Sequence, residues 1–267
     1  MFITRTISGI VLLVLIFAAI FAGGNVWLAV TALLSVVAMY EMLKMLDLHK
    51  KIIAIPAYIC NVLTFALIIV GIIDFIPVMI LLFVLSMAMY VIGWPKYNVN
   101  DISKVIFTYV YTCLCMSYLF LIRFSENGLI YIWLVFIGAW GSDTCAYLIG
   151  ILFGKHKIPS TLSPKKTIEG CAGGVAGAAL IGALYGIWVN SYLDNGTNYI
   201  IIFAVVGAVS SVISQIGDLC ASAVKRNCEK KDYGRLIPGH GGIMDRFDSI
   251  IFLTPIVYYI LDIMGQI

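Results

Sequence analysis

The sequence predicts an all-α polytopic membrane protein with about nine transmembrane helices, an N-terminus in the cytoplasm and a C-terminus outside. Composition is the first observation: 62% of the 267 residues are hydrophobic and only 12% are charged, with a mean hydropathy of +1.03. A soluble domain is closer to half apolar and a quarter charged. The second observation is that apolar runs of about 18 residues or more, long enough to cross a bilayer core, recur along the chain. The third is a one-sided distribution of basic residues.

The apolar runs follow one another with no long polar segment between them, so no separate soluble domain is expected. The first run follows Arg5 and resembles a signal peptide. It is longer than a typical signal core and leads directly into the second run, so a retained helix is expected. The predicted spans are residues 7–24, 25–46, 52–73, 75–93, 102–123, 128–153, 168–192, 198–224 and 247–267.

Basic residues fall almost entirely on one side of the predicted helices. Of the 17 Lys and Arg residues, all but Arg123 precede the first span or lie in an even-numbered connection between spans. The positive-inside rule makes this side cytoplasmic. Few ionisable residues lie inside the first five spans, so residues 1–127 are predicted to be a scaffold. Residues 128–267 are predicted to be the catalytic region, with cytoplasmic loops at 154–167 and 225–246.

Five polar residues form a stripe in the eighth predicted span. Their spacing of four, three, four and three residues places them on one face of a helix. Asp218 lies about 10 Å below the cytoplasmic end of the span, and a carboxylate at this depth costs several kcal/mol unless it is paired, solvated or bound to metal. Two interpretations stay open, an ion pair between helices or the wall of a polar cavity. The stripe consists of Ser211, Gln215, Asp218, Ser222 and Lys225.

Two neighbouring spans add to this pattern. Span six carries Asp143, a second intramembrane acid, which favours a site shared with Asp218. Span seven carries a small residue at every fourth position, which is typical of a face that lets helices pack closely. A phosphate-binding glycine loop is the alternative, but no strand precedes these glycines. The small residues are Gly170, Gly174, Ala178, Gly182 and Gly186.

The loop that leads into the last span, "IPGHGGIMDRFD", combines glycines, a histidine, an arginine and two aspartates. Asp245 and Asp248 are three residues apart and share a face if the last helix has already begun there. Carboxylates suit a hard cation such as Mg²⁺, and lysines, arginines and backbone amides in a tight turn suit a polyphosphate. The combination favours phosphoryl or nucleotidyl transfer between a soluble nucleotide and a lipid at the membrane surface.

From Ser222 the chain reads "SAVKRNCEKKDYGRLIPGHGGIMDRFD", which resembles the signature of the phosphatidate cytidylyltransferases, also called CDP-diacylglycerol synthases. The resemblance extends upstream to "SPKKTIEG" at 163–170 and "SDTCAY" at 142–147. It covers the C-terminal half strongly, whereas the N-terminal half is similar only in being helical and hydrophobic. Ala221 and Ile168 depart from the family pattern, which commonly has an acidic residue and a tryptophan at these positions.

The resemblance implies the reaction of CTP with phosphatidate to give CDP-diacylglycerol and pyrophosphate. It implies a need for Mg²⁺, as one or two divalent cations with a monovalent cation possible, and a homodimer in the lipid bilayer. No nucleic acid partner is expected. The expected location is a bacterial cytoplasmic membrane, with the active site at the cytoplasmic face.

The resemblance also implies a set of site residues. The implied catalytic residues are Lys225, Arg226, Asp245, Arg246 and Asp218. The implied substrate- and phosphate-binding residues are Lys165, Lys166, Thr167, Ser222, His240, Gly241 and Gly242. The implied metal ligands are Asp218, Asp245 and Asp248.

Two other functions remain as alternatives to this interpretation. A CTP-dependent lipid kinase could use a similar cavity, but it would release CDP rather than pyrophosphate. A proton- or ion-coupled transporter could use Asp143 and Asp218 as a relay. Transporters often repeat broken helices in both halves, whereas the polar residues here crowd into the second half.

Overall fold

The computed structural model describes residues 2–158, 162–163, 166–193 and 196–267, with side chains from Thr6 onward. The described residues form nine helices, which confirms the predicted all-α architecture. The helices are α1 Phe2–Ala22, α2 Gly24–Met45, α3 Ile52–Ile69, α4 Ile76–Ile92, α5 Val99–Phe124, α6 Gly128–Phe153, α7 Ile168–Asn190, α8 Tyr199–Asn227 and α9 Met244–Ile263.

Six of these helices, α2, α3 and α5 to α8, are long and apolar enough to cross a membrane. Many of their apolar side chains face outward, and Val62 on α3 and Leu152 on α6 are 66% and 70% exposed. Such exposure would be unfavourable in water, but it suits a surface that lies in hydrocarbon. The chain is therefore a multi-pass membrane protein, and the sides on which its termini lie stay a prediction.

The chain forms two compact units, which divide it differently from the predicted boundary at residue 127. The first unit contains residues 1–120 and also residues 227–247, which carry most of the signature loop. The second unit contains residues 121–226 and 248–267. The N-terminal helices thus pack with part of the signature, although the predicted division of function stays a prediction.

Hydrogen bonds between helices pair several buried polar groups inside the first unit. Asn61 on α3 donates to Ser35 on α2 at 2.8 Å, and both side chains are buried. The hydroxyls of Thr64 and Tyr109 lie 2.6 Å apart between α3 and α5. Because an unpaired polar group is costly in an apolar interior, these bonds help to fix how the helices pack.

The predicted small-residue face of α7 is confirmed in the second unit. All five of its residues are buried. A Cβ added at Gly170 would lie 2.8 Å from the Ala146 carbonyl oxygen of α6, and one added at Gly182 would collide with the Phe203 carbonyl of α8. The absence of side chains therefore lets α7 lie against the backbones of both α6 and α8.

Candidate active site

A cavity of about 620 Å³ lies in the second unit, among α6, α7 and α8, and we call it the α6–α8 cavity. It contains both intramembrane aspartates that the sequence singled out on α6 and α8. Its lining residues are Asp143, Ala146, Tyr147, Gly150, Ile151, Lys166, Thr167, Gly170, Cys171, Gln215 and Asp218.

Lys166 and Asp218 form an ion pair in this cavity. The Lys166 Nζ lies 2.5 Å from the Asp218 Oδ2, and the two side chains are 24% and 35% exposed. Asp143 is close enough to interact electrostatically with both. Asp218 is paired with a cation from another segment and also lines a cavity. The ion pair and the cavity wall, the two interpretations of the polar stripe, are therefore both present.

The start of α7 sets the position of Lys166. Thr167 is the N-cap residue of α7, and its Oγ1 accepts a hydrogen bond from the Gly170 amide at 3.1 Å. A short antiparallel bridge joins Lys157 to Thr167, and the Ile158 amide donates to the Lys166 carbonyl at 3.0 Å. Because the backbone is held on both sides of Lys166, its ammonium group is directed at α8.

The inner part of the polar stripe links α8 to its neighbours. Ser211 and Ser142 of α6 lie 2.6 Å apart through their hydroxyl oxygens. Gln215 donates to the Ser211 hydroxyl and to the Cys171 carbonyl of α7, each at 3.2 Å. A π-helical turn, Ile137–Gly141, ends immediately before Ser142 in α6. It changes the direction in which Ser142 and the next residue, Asp143, project, as such turns often do at functional sites.

The segment 237–245, which we call the signature turn, lies in the first unit. The Ile237 amide donates to the Gly241 carbonyl at 2.9 Å, and Gly241 adopts a φ of 89°, a conformation that favours glycine. Helix α9 begins at Met244, and the Asp245 Oδ2 accepts hydrogen bonds from the amides of Gly242 at 3.0 Å and Tyr233 at 2.8 Å. Asp245 therefore fixes the shape of the turn, whatever else it binds.

Other side chains brace the same turn. The Nδ1 of His240 lies 2.9 Å from the hydroxyl of Ser8 on α1, and that hydroxyl also donates to the Pro238 carbonyl at 2.9 Å. The Arg246 Nε donates to the His240 carbonyl at 3.0 Å. The turn is therefore held by a helix more than 200 residues earlier in the chain.

Sequence reasoning missed Glu41, which lies on α2 in the region predicted to be a scaffold. Its side chain is only 4% exposed, and its Oε2 accepts a hydrogen bond from the Met244 amide at 2.9 Å. The available signal was the acid itself in the apolar run "AMYEML", because an ionisable residue inside a span is a functional candidate by default.

The implied site residues fall in both units. Lys165 lies outside the described residues. Those in the second unit are Lys166, Thr167, Asp218, Ser222, Lys225, Arg226 and Asp248. Those in the first unit are His240, Gly241, Gly242, Asp245 and Arg246. Asp248 is buried, and its Oδ1 accepts a hydrogen bond from the Ser249 amide at 2.8 Å.

The donor groups of the α6–α8 cavity suit a hard cation. Asp143 and Asp218 supply carboxylate oxygens, and the Lys166 ammonium pairs with Asp218, so a cation bound there would compete with Lys166 for that carboxylate. Mg²⁺ commonly binds through one or two carboxylates together with substrate phosphates. Among the described residues, no three His, Cys, Asp or Glu side chains group closely enough to hold a metal ion by themselves.

The profile of the cytidylyltransferase family matches residues 3–264, so the chain belongs to this family. Its similarity to individual proteins is as extensive. It is 32% identical over 266 residues to the phosphatidate cytidylyltransferase of Staphylococcus epidermidis and 31% identical to that of Staphylococcus haemolyticus. It is 33% identical over 269 residues to that of Staphylococcus aureus. Each alignment covers 96% of this chain and 98% of the relative.

Proposed function

We propose that this chain is an enzyme that transfers CMP from CTP to phosphatidate, giving CDP-diacylglycerol and pyrophosphate for phospholipid biosynthesis. The observation that carries the proposal is the match of nearly the whole chain to proteins named phosphatidate cytidylyltransferase. The α6–α8 cavity supports it, because its lysine can pair with the phosphate of a lipid and its carboxylates could hold a divalent cation that offsets further phosphate charge.

The chemistry asks the protein mainly for positioning and charge neutralisation. An oxygen of the phosphatidate phosphate attacks the α-phosphorus of CTP, and the bond from that phosphorus to the bridging oxygen breaks. Pyrophosphate leaves with the bonding electrons. Because the phosphatidate phosphate is already an anion, no strong general base is needed. Lys166 is suited to offset phosphate charge, and the signature turn offers backbone amides together with Arg246.

A divalent cation bound to the carboxylates would neutralise phosphate charge as it develops on the leaving pyrophosphate. Asp218 with Asp143 nearby is the donor set that the described cavity offers, and Asp245 and Asp248 are further proposed ligands on α9. The same proposal places the protein in a bacterial cytoplasmic membrane, with its active site at the cytoplasmic face. It also includes a homodimer as the oligomeric state.

The direct test uses the purified protein in detergent with phosphatidate, Mg²⁺ and CTP labelled at the α-phosphate. We expect Mg²⁺-dependent label in the lipid phase and an equal amount of released pyrophosphate. Asp245→Asn should lower the turnover by at least about 100-fold, because the carboxylate charge is lost. The asparagine carbonyl can still accept the amide hydrogen bonds that shape the turn, so the protein should fold.

Asp262→Asn is the matched control, because Asp262 is an exposed aspartate near the other end of the same helix. It should keep the wild-type turnover. Labelled CDP in the aqueous phase with no labelled lipid would instead identify a CTP-dependent lipid kinase. Wild-type turnover in Asp245→Asn would remove Asp245 from the site, and a folded wild-type protein that makes neither product would refute the proposed function.

A further inference from the structure

Glu41 is a buried acid in a position where an apolar residue would be expected. Its neighbours in sequence on α2, Met39, Met42 and Leu43, are fully buried, and Glu41 itself is 4% exposed. A carboxylate removed from water is strongly destabilised unless hydrogen bonds replace its hydration. The groups that donate hydrogen bonds to the Glu41 carboxylate therefore indicate what this buried acid does in the fold.

The groups that donate hydrogen bonds to Glu41 belong to the segment around the signature turn, and Lys44 on α2 adds a favourable electrostatic interaction. The Glu41 carboxylate accepts hydrogen bonds from the backbone amides of Met244, at 2.9 Å, and Ile243. These amides lie at the start of α9, where backbone N–H groups have no partner within the helix and favour a negative charge. Glu41 thus acts as a capping group for α9, supplied by a helix 203 residues earlier.

Glycines make room for this carboxylate. A Cβ added at Gly234 or at Gly242 would collide with the Glu41 carboxylate. The backbone on both sides of the signature turn therefore packs directly on the Glu41 side chain. This close packing couples the position of Glu41 to the path of the chain through the turn.

Glu41 and Asp245 divide the amides of the turn between them. Asp245 accepts from Gly242 and Tyr233, whereas Glu41 accepts from the next two residues, Ile243 and Met244. The two carboxylates are also close enough to interact electrostatically. The two carboxylates repel each other, and the hydrogen bonds from the amides offset this repulsion and hold each carboxylate in place.

We propose that Glu41 is a positioning residue, which holds the signature turn and the start of α9 so that Asp245 keeps the orientation needed for nucleotidyl transfer. The proposal rests on the proposed function for the reaction it names. Glu41 acts through the backbone amides and through Asp245, not by contact with a substrate.

The test substitutes Glu41→Gln, which keeps the size of the side chain but removes its charge and one of its acceptor oxygens. The matched control is Asn61→Ala, which removes a buried polar group that also bonds to α2 but touches Ser35 rather than the turn. Hydrogen–deuterium exchange of full-length protein in detergent measures the amides of residues 237–245. The assay with phosphatidate and α-labelled CTP measures kcat and KM.

For Glu41→Gln we expect exchange in the turn to rise by about tenfold, and kcat to fall by about tenfold with a smaller change in KM. Asn61→Ala should leave both unchanged relative to wild type, even if its melting temperature falls. Should Glu41→Gln fail to fold, Glu41→Asp retains the charge but shortens the reach, and its turn should still exchange faster than the rest of the first unit.

Wild-type exchange in the turn together with wild-type kcat in Glu41→Gln would overturn the proposal. An equal rise in exchange throughout the first unit, as for a general loss of packing, would also overturn it. If the wild-type protein makes no labelled lipid, the proposed function fails, and the exchange result then decides alone whether Glu41 holds the turn.

Discussion

At the scale of single residues, the pair of Lys166 and Asp218 links structure to the proposed chemistry. Both side chains line the α6–α8 cavity and are partly exposed, although the Lys166 ammonium nitrogen itself is buried against Asp218. The pair also keeps Asp218 neutralised inside the membrane, where an isolated carboxylate is costly. One lysine can therefore serve the resting protein and offset phosphate charge when substrate arrives.

Lys166→Met tests this double role, because methionine keeps most of the apolar stem and removes the charge. We expect kcat/KM for CTP to fall by at least about tenfold, since a charge-assisted contact to phosphate is lost. Steady-state assays with varied CTP measure this effect. Lys157→Met is the control, because Lys157 is an exposed lysine of the same loop. Unchanged kcat/KM in Lys166→Met would show that the pair only supports the fold.

Sequence reasoning reached some of these residues and not others for a physical reason. Asp143 and Asp218 could be singled out because an acid within an apolar run is unusual wherever it lies. The partner of Asp218 could not be assigned, since eight lysines and arginines occur within 60 residues of it and only the fold selects Lys166. Glu41 lies close to the end of a predicted span, where a charged residue is common. Its burial against the signature turn depends on a contact between distant segments, which the sequence does not show.

At the scale of helices, the small-residue face of α7 determines how closely three helices can approach. The spacing of its glycines predicted this face correctly, because a repeat of four residues keeps them on one side of a helix. The sequence could not show which helix each glycine meets. Gly174 lies against Ala146 and Ser142 of α6, whereas Gly182 and Gly186 lie against the backbone of α8.

Gly182→Ala should destabilise this packing, because its Cβ would collide with the Phe203 carbonyl, which belongs to a helix backbone and cannot move aside alone. We expect the free energy of unfolding to fall by about 1–3 kcal/mol, as is typical of overpacking. Thermal unfolding in detergent measures the effect.

Ala176→Val is the control for this substitution, because Ala176 is exposed on another face of α7. It should leave the melting temperature unchanged within error. An unchanged melting temperature for Gly182→Ala would mean that α7 and α8 can separate at no cost.

At the scale of the whole molecule, the distribution of basic residues predicts the orientation in the membrane. Alkaline phosphatase, which is active only after export, should be active when fused after Ile267 and inactive when fused after Lys231. Green fluorescent protein should give the opposite pattern, because it fluoresces only in the cytoplasm when exported unfolded. The reverse result would place the signature turn on the outer face and exclude a cytoplasmic nucleotide as its ligand.

The number of helices and their order could be predicted from hydropathy, because each span must satisfy its own backbone within the bilayer. The division into units could not, since it depends on residues 227–247 returning to the N-terminal helices. Hydropathy describes each segment by itself and carries no information about which distant segments meet.

The packing of residues 227–247 with the N-terminal helices has a consequence for the protein during its synthesis. Glu41 is synthesised 203 residues before Met244, whose amide donates to its carboxylate, and at roughly 5–20 residues per second the interval is about 10–40 s. During that time the N-terminal helices are already in the bilayer with an acid that lacks its final partner. A polypeptide that ends before Met244 lacks an amide that pairs with Glu41 in the full-length protein, so we expect such shorter products to be degraded faster by membrane proteases.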